Sequence, residues 1–339
     1  MTDKLSRPRL DYIDAMRGFT ILLVIYFHFV IRSMHNPGDD SGVLYVFSRV
    51  RMPLFFFVSG FFAYGCYDAA LLKKRVKNRL LKQLWPTVAI FLIFSEIYRG
   101  GVENTLFDAH KGGYWFTYSL VQTFLVFAVA SYAMTAAGAS RRTQLVVYAA
   151  ATIGLFAMGS VAMRFARDFM TGPIGSFLSL TQTISLAPYF FFGAAVRLYY
   201  DEFLYVIRNK WCFAAVVLLF ALSYLSDSSI VCRLTSFAGI VTVLGVFYYM
   251  RDFWSGESRL STMLITFGKN TLPIYLFHYF IIFSIAAIDL SEGLQSIVGP
   301  VYIEFPVLIA VSVLIAWACV GFDRLAGRYA GPVHRFLFP

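Results

Sequence analysis

Apolar stretches long enough to cross a membrane recur along almost the whole 339-residue chain, and they constrain its fold more than any other feature. A helix needs about 20 mainly apolar residues to span the hydrocarbon core of a bilayer. The approximate bounds of these stretches are residues 13–33, 43–66, 84–99, 114–135, 144–163, 177–197, 211–226, 229–250, 263–288 and 302–322. The sequence therefore predicts an all-α, polytopic membrane helix bundle of about ten transmembrane helices.

The composition agrees with this class and argues against a separate soluble domain. Hydrophobic residues make up 59% of the chain and charged residues 14%, whereas soluble proteins contain about 25% charged residues. We therefore interpret residues 1–339 as a single integral membrane domain without a soluble accessory domain. The four cysteines are scattered without the spacing of a metal site, so no metal is expected.

The distribution of basic residues predicts the orientation of the chain. Most of the 29 lysines and arginines fall on the cytoplasmic side if the N-terminus is cytoplasmic, as the positive-inside rule requires. Both termini are therefore predicted to be cytoplasmic. The net charge of +10 is then a signal of topology, and it does not indicate a nucleic-acid partner.

Three polar residues share one face of the first predicted span. Arg17 and His28 are eleven residues apart, which is about three helical turns and about 16 Å of rise, and Asp14 lies one turn before Arg17. Titratable residues at membrane depth usually face the bundle interior and mark a site or a pathway. A purely structural histidine is the ordinary alternative for His28, but the shared stripe favours a polar track that leads from the cytoplasmic face to His28 in the outer half.

Four local motifs, in register with the predicted spans, carry a resemblance to a known family. They are residues 9–18 (RLDYIDAMRG) continuing to His28, residues 51–61 (RMPLFFFVSGF), residues 114–116 (YWF) and residues 268–278 (GKNTLPIYLFH). Together they resemble the acyltransferase-3 family of bacterial membrane proteins. Relatives in this family include glycan O-acetyltransferases, fucose O-acetylase-like proteins and the glucan biosynthesis protein C group.

The resemblance implies acyl transfer across the bacterial plasma (inner) membrane. The implied donor is cytoplasmic acetyl-CoA or another short acyl-CoA, and the acceptor is a hydroxyl of an extracytoplasmic glycan or a lipid-linked saccharide. Arg17 and His28 match the Arg-x10-His element of the family, and with Asp14 they are the predicted catalytic residues. The acyl group, the acceptor sugar and assembly with further copies of the chain are left open.

The basic residues between positions 73 and 82 correspond to a second family element. Arg75, Arg79 and Lys82 precede Pro86, and relatives often carry an Arg-x-x-Arg pair where this chain has Arg79 and Lys82. Coenzyme A carries several phosphate groups, so these three residues are the predicted donor-binding residues. Ordinary positive-inside anchoring is the alternative.

Four further residues are predicted to lie along the substrate path: Arg51, Ser59, Trp115 and His278. Many relatives have histidine where this chain has Arg51, a difference that bears on the acceptor. Ser59-Gly60 lacks the preceding Gly-x of a nucleophile elbow, which argues against a serine acyl-enzyme. His278 either faces His28 or makes a structural interhelical hydrogen bond. Trp115 either lines the path or belongs to the interfacial aromatic belt.

The predicted outer loops add three polar candidates that loop composition alone does not assign to a sugar: His35, Glu103 and His110. Acyl transfer to a hydroxyl needs a base for the alcohol and a donor for the developing oxyanion. Histidine is the natural base at neutral pH, so His28 is the predicted base.

Two other classes of protein compete with the enzyme. A transporter or flippase of small polar solutes would also use ten spans with internal charges, but it should have broken helices in matching halves, and the sequence gives no sign of such a pair. A non-catalytic scaffold of a glycan-export complex would need neither the stripe on the first span nor the basic residues at positions 73–82.

Overall fold

The computed structural model describes residues 10–33, 42–65, 67–226, 228–255, 258–287 and 301–338. All regular structure in these ranges is helical. The α-helices are α1 (Asp11–Ser33), α2 (Gly42–Ser48), α3 (Arg51–Ala63), α4 (Ala69–Arg79), α5 (Trp85–Tyr98), α6 (Glu103–Leu106), α7 (Trp115–Ala136), α8 (Arg141–Phe165), α9 (Arg167–Thr171), α10 (Pro173–Phe177), α11 (Leu180–Leu198), α12 (Tyr200–Arg208), α13 (Lys210–Leu222), α14 (Ser229–Tyr249), α15 (Arg251–Trp254), α16 (Arg259–Lys269), α17 (Thr271–Ala286), α18 (Val301–Tyr329) and α19 (Gly331–Leu337).

Seven helical segments in the described ranges are long and apolar enough to cross a membrane. An eighth span results if α12 and α13, which meet at 83°, are taken together. Helix α17 is apolar but has only 16 residues. The predicted all-α membrane bundle is confirmed, and the chain is a multi-pass membrane protein. The number of ten spans is not confirmed, and the orientation of the termini stays a prediction.

The third predicted span, residues 84–99, is wrong at its N-terminal end. One helical segment runs from Ala69 to Tyr98, because a π-helical turn, Leu80–Leu84, joins α4 to α5. Pro86 follows this turn, and the wider turn accommodates a residue that lacks a backbone N–H donor. The basic residues at positions 73–82 therefore lie on a helix that continues into the membrane and not in a loop.

Two other predicted spans are interrupted. The ninth, residues 263–288, is broken at Asn270 into α16 and α17, and the second, residues 43–66, has a turn at residues 49–50 between α2 and α3. Residues 66 and 288, at the ends of these spans, lie outside the described ranges. Interrupted helices thus do occur in this chain, although no feature of the sequence predicted them.

Helix α1 lies at the centre of the bundle and packs against α16, α17 and α18. Its approach to α16 depends on two glycines. A Cβ atom at Gly18 would lie 1.9 Å from the Leu264 carbonyl oxygen, and one at Gly268 would lie 1.8 Å from the Asp14 carbonyl oxygen. The backbones of the two helices are therefore in direct contact, as small residues allow in membrane bundles, and the polar face of α1 is held inside the protein.

Candidate active site

One cavity of about 710 Å³ extends through the bundle beside α1. Its walls come from α1, α3, the segment from α4 to α5, α7, α17 and the loop at residues 99–113. The residues that line one end are Arg17, Arg75, Arg79 and Lys82, and those at the other end include Arg99, Asp108, His110 and Trp115. His28 lines the same cavity, about 16 Å along the helix axis from Arg17.

Arg17 is fixed at the basic end by two partners. Its Nη1 lies 3.3 Å from Asp14 Oδ1, and its Nη2 donates a hydrogen bond of 3.0 Å to Thr271 Oγ1. Asp14 is buried and does not line the cavity, so its position suits orienting Arg17 and not contacting a substrate. Thr271 opens α17 directly after the break at Asn270, which brings the start of that helix to the cavity.

Arg75 and Arg79 extend from the same helical segment into the cavity. Arg75 Nη1 donates to the Ala63 carbonyl oxygen at 2.6 Å and to the Tyr67 hydroxyl at 2.8 Å. Arg79 donates to the side-chain oxygen of Gln83. These hydrogen bonds hold each guanidinium at the cavity wall, and each retains further N–H donors for an anionic ligand.

The basic residues at positions 73–82 divide into two groups. Arg75, Arg79 and Lys82 line the cavity, whereas Lys73, Lys74 and Lys77 do not and are exposed. Arg75, Arg79 and Lys82 are separated by four and then three positions, and residues at this spacing share one face of a helix. This common face explains why the three line the same cavity. Proximity to the membrane surface alone does not account for this division.

His28 belongs to a chain of hydrogen bonds, and the carbonyl group at one end of the chain decides which atom donates in each bond. His278 Nδ1 lies 3.1 Å from the Ile274 carbonyl oxygen. A carbonyl only accepts hydrogen bonds, so Nδ1 of His278 carries the proton and its Nε2 accepts. His28 Nδ1 lies 3.1 Å from that Nε2 and therefore donates to it. In the neutral ring, His28 Nε2 is then the basic nitrogen, and it lies 2.7 Å from the Tyr279 hydroxyl, which donates.

The loop before α7 closes over this chain. Tyr275 donates from its hydroxyl to the Gly113 carbonyl oxygen at 2.8 Å, and Tyr114 donates to the Leu276 carbonyl oxygen at 2.9 Å. Gly113 has a φ of +117°, and a Cβ atom there would lie 2.1 Å from Cζ of Tyr279. Only glycine therefore lets Tyr279 reach His28 beneath this loop.

Three of the four predicted path residues line the cavity. Arg51, Ser59 and Trp115 are all half-buried wall residues. His278 does not line the cavity, because it is fully buried behind His28. Of the loop candidates, His110 lines the cavity and Glu103 does not, and His35 lies outside the described residues.

The loop at residues 99–113 carries the carboxylate at the far end of the cavity. Burial raises the pKa of the Asp108 carboxyl, but the backbone N–H groups of His110 and Gly112 and the charges of His110 and Arg99 outweigh it. The pKa of Asp108 therefore lies below its usual range. Lys111 anchors the loop by donating to the carbonyl oxygens of Leu106, Asp108 and Ser176.

A second cavity of about 610 Å³ adjoins the first and shares three wall residues with it: Met52, His110 and Trp115. Its other walls are mostly polar or aromatic and include Tyr45, Gln182, Ser185 and Tyr189.

Sequence reasoning missed several residues of this site, among them Thr271, Tyr279 and Gly113. Tyr279 directly follows His278, and Thr271 lies inside the motif at residues 268–278, but the position of neither residue in the sequence pattern indicated a role. The pair Gly112-Gly113 before Tyr114 was the available signal, since paired glycines often mark a tight backbone turn. Among the described residues, no group of three or more His, Cys, Asp or Glu side chains is placed to hold a metal ion.

A histidine whose Nε2 accepts a hydrogen bond, set in a cavity with a cationic end, is the arrangement expected of a base-assisted group-transfer enzyme with an anionic substrate. A family model described as an acyltransferase domain, Acyl_transf_3, matches residues 10–321, which is more than nine-tenths of the chain. The chain belongs to the acyltransferase-3 family and is a membrane acyltransferase. Neither the curated proteins nor the solved structures contain a match to this chain.

Proposed function

We propose that this enzyme transfers a short acyl group, acetyl in the first instance, from cytoplasmic acyl-CoA to a hydroxyl of an extracytoplasmic or lipid-linked glycan. The single observation that carries this proposal is the cavity, which joins the basic end formed by Arg17, Arg75, Arg79 and Lys82 to His28. The predicted orientation assigns the basic end to the cytoplasmic side. The proposed location is the inner membrane of a bacterium.

The dimensions of the cavity suit a coenzyme A thioester. The nucleotide phosphates would bind Arg75, Arg79 and Lys82, because guanidinium groups form strong charge-assisted hydrogen bonds with phosphate. The pantetheine arm is about as long as the axial separation of about 16 Å between Arg17 and His28. The nucleotide therefore need not enter the membrane for the acyl carbon to approach His28.

His28 acts as the general base in this proposal. The acceptor hydroxyl takes the place that the Tyr279 hydroxyl has at His28 Nε2, 2.7 Å away. As its oxygen attacks the thioester carbon, its proton passes to His28 Nε2, and the positive charge that develops on the ring is stabilised through the hydrogen bond to His278. When the C–S bond breaks, the leaving thiolate takes this proton, and His28 returns to its neutral form.

A glycan acceptor is supported by the far end of the cavity and by the adjoining second cavity. Trp115 lines both, and Gln182 and Ser185 offer hydrogen-bonding groups in the second. Aromatic faces combined with polar groups suit a ligand with apolar ring faces and many hydroxyls.

Mass spectrometry of surface glycans tests this function. A deletion strain should lose the acyl modification from one glycan species, and the wild-type gene should restore it. A purified protein in lipid nanodiscs should bind acetyl-CoA with saturation, and coenzyme A should compete. An unchanged glycan profile together with no binding of acyl-CoA would refute the proposal.

A further inference from the structure

Arg51 has an unusual environment for a guanidinium at membrane depth. Its Cζ lies 3.5 Å from the centroid of the Phe27 ring, and its Nε is enclosed without a hydrogen-bond partner. Arg51 makes no hydrogen bond to any residue in the described ranges. Its fork therefore presents its N–H donors to the cavity that it lines.

Arg233 on α14 makes the informative comparison. It too lies over a phenylalanine, with its Cζ 4.6 Å from the Phe156 ring centroid, and its Nε is likewise enclosed without a partner. Its fork, however, is engaged, because Nη1 donates to Ser160 Oγ at 3.2 Å and Nη2 to the Phe156 carbonyl oxygen at 3.3 Å. Arg233 lines the second cavity and not the main one. The open fork of Arg51 is thus not a general property of arginines in this bundle.

Arg51 is also a close neighbour of the proposed base. Phe27, on which the guanidinium rests, is the neighbour of His28 in α1. Arg51 also lines the same cavity as His28 and Tyr279. Arg51 is also the first residue of α3, where no side chain caps the backbone N–H groups. A helix N-terminus adds a positive field to that of the guanidinium.

We propose that Arg51 is the oxyanion-stabilising residue of the reaction, an inference that rests on the proposed acyl transfer. When the acceptor oxygen bonds to the thioester carbon and its proton passes to His28 Nε2, the carbonyl π electrons move to the carbonyl oxygen. The Arg51 guanidinium donates to this oxyanion. The intermediate collapses by re-forming the carbonyl and breaking the C–S bond, and the thiolate leaves with the proton from His28. A donor that is already in place stabilises such an oxyanion without rearrangement.

The test uses inverted membrane vesicles from the source cells, which contain the native acceptor, with Arg51→Gln replacing the wild-type enzyme. Radiolabelled acetyl-CoA and succinyl-CoA are titrated separately as donors. The kcat of Arg51→Gln should fall about 10²–10³-fold with every donor that wild type uses, as for the loss of one oxyanion donor, while the donor KM stays within about threefold of wild type. Arg51→Lys keeps the charge but lacks the fork, so its kcat should lie between the two. Arg197→Gln is the matched control, because Arg197 also lies over a phenylalanine, with its Cζ 4.8 Å from the Phe61 ring centroid, but lines neither cavity. It should keep both constants per folded molecule.

Three results would overturn the inference. One is a full kcat in Arg51→Gln; another is a raised donor KM with unchanged kcat, which would make Arg51 a binding residue. The third is a loss with succinyl-CoA alone, which would mean that Arg51 binds a carboxylate on the acyl group. If Arg51→Gln is not recovered folded by size exclusion in detergent, a wild-type kcat in folded Arg51→Lys contradicts the role equally. A wild-type enzyme that transfers neither acyl group would refute the proposed function and this inference with it.

Discussion

Helices α1 and α8 are both long and apolar, but they lie in opposite environments. The apolar window of α1 has a mean hydropathy of 1.6 and is 78% buried, whereas that of α8 has a mean hydropathy of 1.9 and is 11% buried. The more apolar helix is thus the one at the periphery. Lipid is as apolar as a protein interior, so hydropathy identifies a span without locating it in the bundle.

The polar residues make the difference between the two helices. Asp14, Arg17 and His28 on α1 all have protein partners or line the cavity. A charged or titratable group exposed to lipid is costly, so a helix that carries three of them must lie inside. Four predictions sharpen this contrast or break it.

The largest effect is expected from His28→Ala on α1. Removing the base should lower the rate of acyl transfer about 10²–10⁴-fold, with expression and insertion unchanged. Ser160→Ala removes a polar side chain from α8 and is the matched control, with activity expected near wild type. Radiolabelled acyl transfer per folded molecule measures both. Full activity in His28→Ala would end its assignment as the base.

The cavity-lining basic residues should affect the donor more than the acceptor. Each charge-assisted hydrogen bond to phosphate contributes about 1.5–3 kcal/mol, so the triple variant Arg75→Ala, Arg79→Ala, Lys82→Ala should raise the donor KM about 100-fold or more. The triple variant Lys73→Ala, Lys74→Ala, Lys77→Ala removes the same charge from exposed positions that do not line the cavity. An equal donor KM for the two triple variants would mean that the basic residues serve only to orient the chain in the membrane.

His278 should act through His28 without contacting a substrate. His278→Leu removes the acceptor that fixes the proton on His28 Nδ1, and losing a hydrogen bond of about 1 kcal/mol or more should lower kcat about tenfold. His278→Gln supplies an amide oxygen as an acceptor and should recover much of this loss. Equal kcat values for the two variants, measured at the same folded fraction, would mean that His278 only fills space.

The smallest effect is expected for the stability of variants that test how closely each of the two helices is packed. Gly18→Ala forces a Cβ atom against the α16 backbone, and overpacking of this kind should destabilise the protein by about 1–3 kcal/mol. Gly154 on α8 has no atom within 4 Å of such a Cβ atom, so Gly154→Ala should not destabilise the protein and, through the higher helix propensity of alanine, should stabilise it by up to about 1 kcal/mol. Thermal unfolding in detergent compares the two, and equal shifts would contradict the central position of α1.

The sequence predicted those parts of the site that lie on one helix. The shared face of Asp14, Arg17 and His28 follows from helical periodicity alone. Arg75, Arg79 and Lys82 were predicted from the family resemblance and the local density of charge, and the structure shows that the three line one cavity. The acyltransferase family followed from four motifs in register.

Contacts between distant segments were not predictable in this way. The hydrogen bond from His28 to His278 joins residues 250 positions apart, and it depends on how α1 packs against α17. The break at Asn270 could not be predicted, because the apolar pattern continues across it. The π-helical turn that joins α4 to α5 could not be predicted for the opposite reason. Polar residues precede the apolar run there, and such a change in composition is also typical of a loop followed by a span. The period of apolar residues indicates which side chains are buried. It does not indicate the backbone hydrogen bonds that decide whether two helical segments are continuous or broken.

Sided assays in oriented membrane vesicles ask whether one cavity carries an acyl group from the basic end near Arg17 to His28. With acetyl-CoA supplied only at the cytoplasmic face and acceptor only at the opposite face, acylated acceptor should form, and the reverse arrangement should give none. Product that forms only when donor and acceptor share the cytoplasmic face would contradict transfer through the membrane.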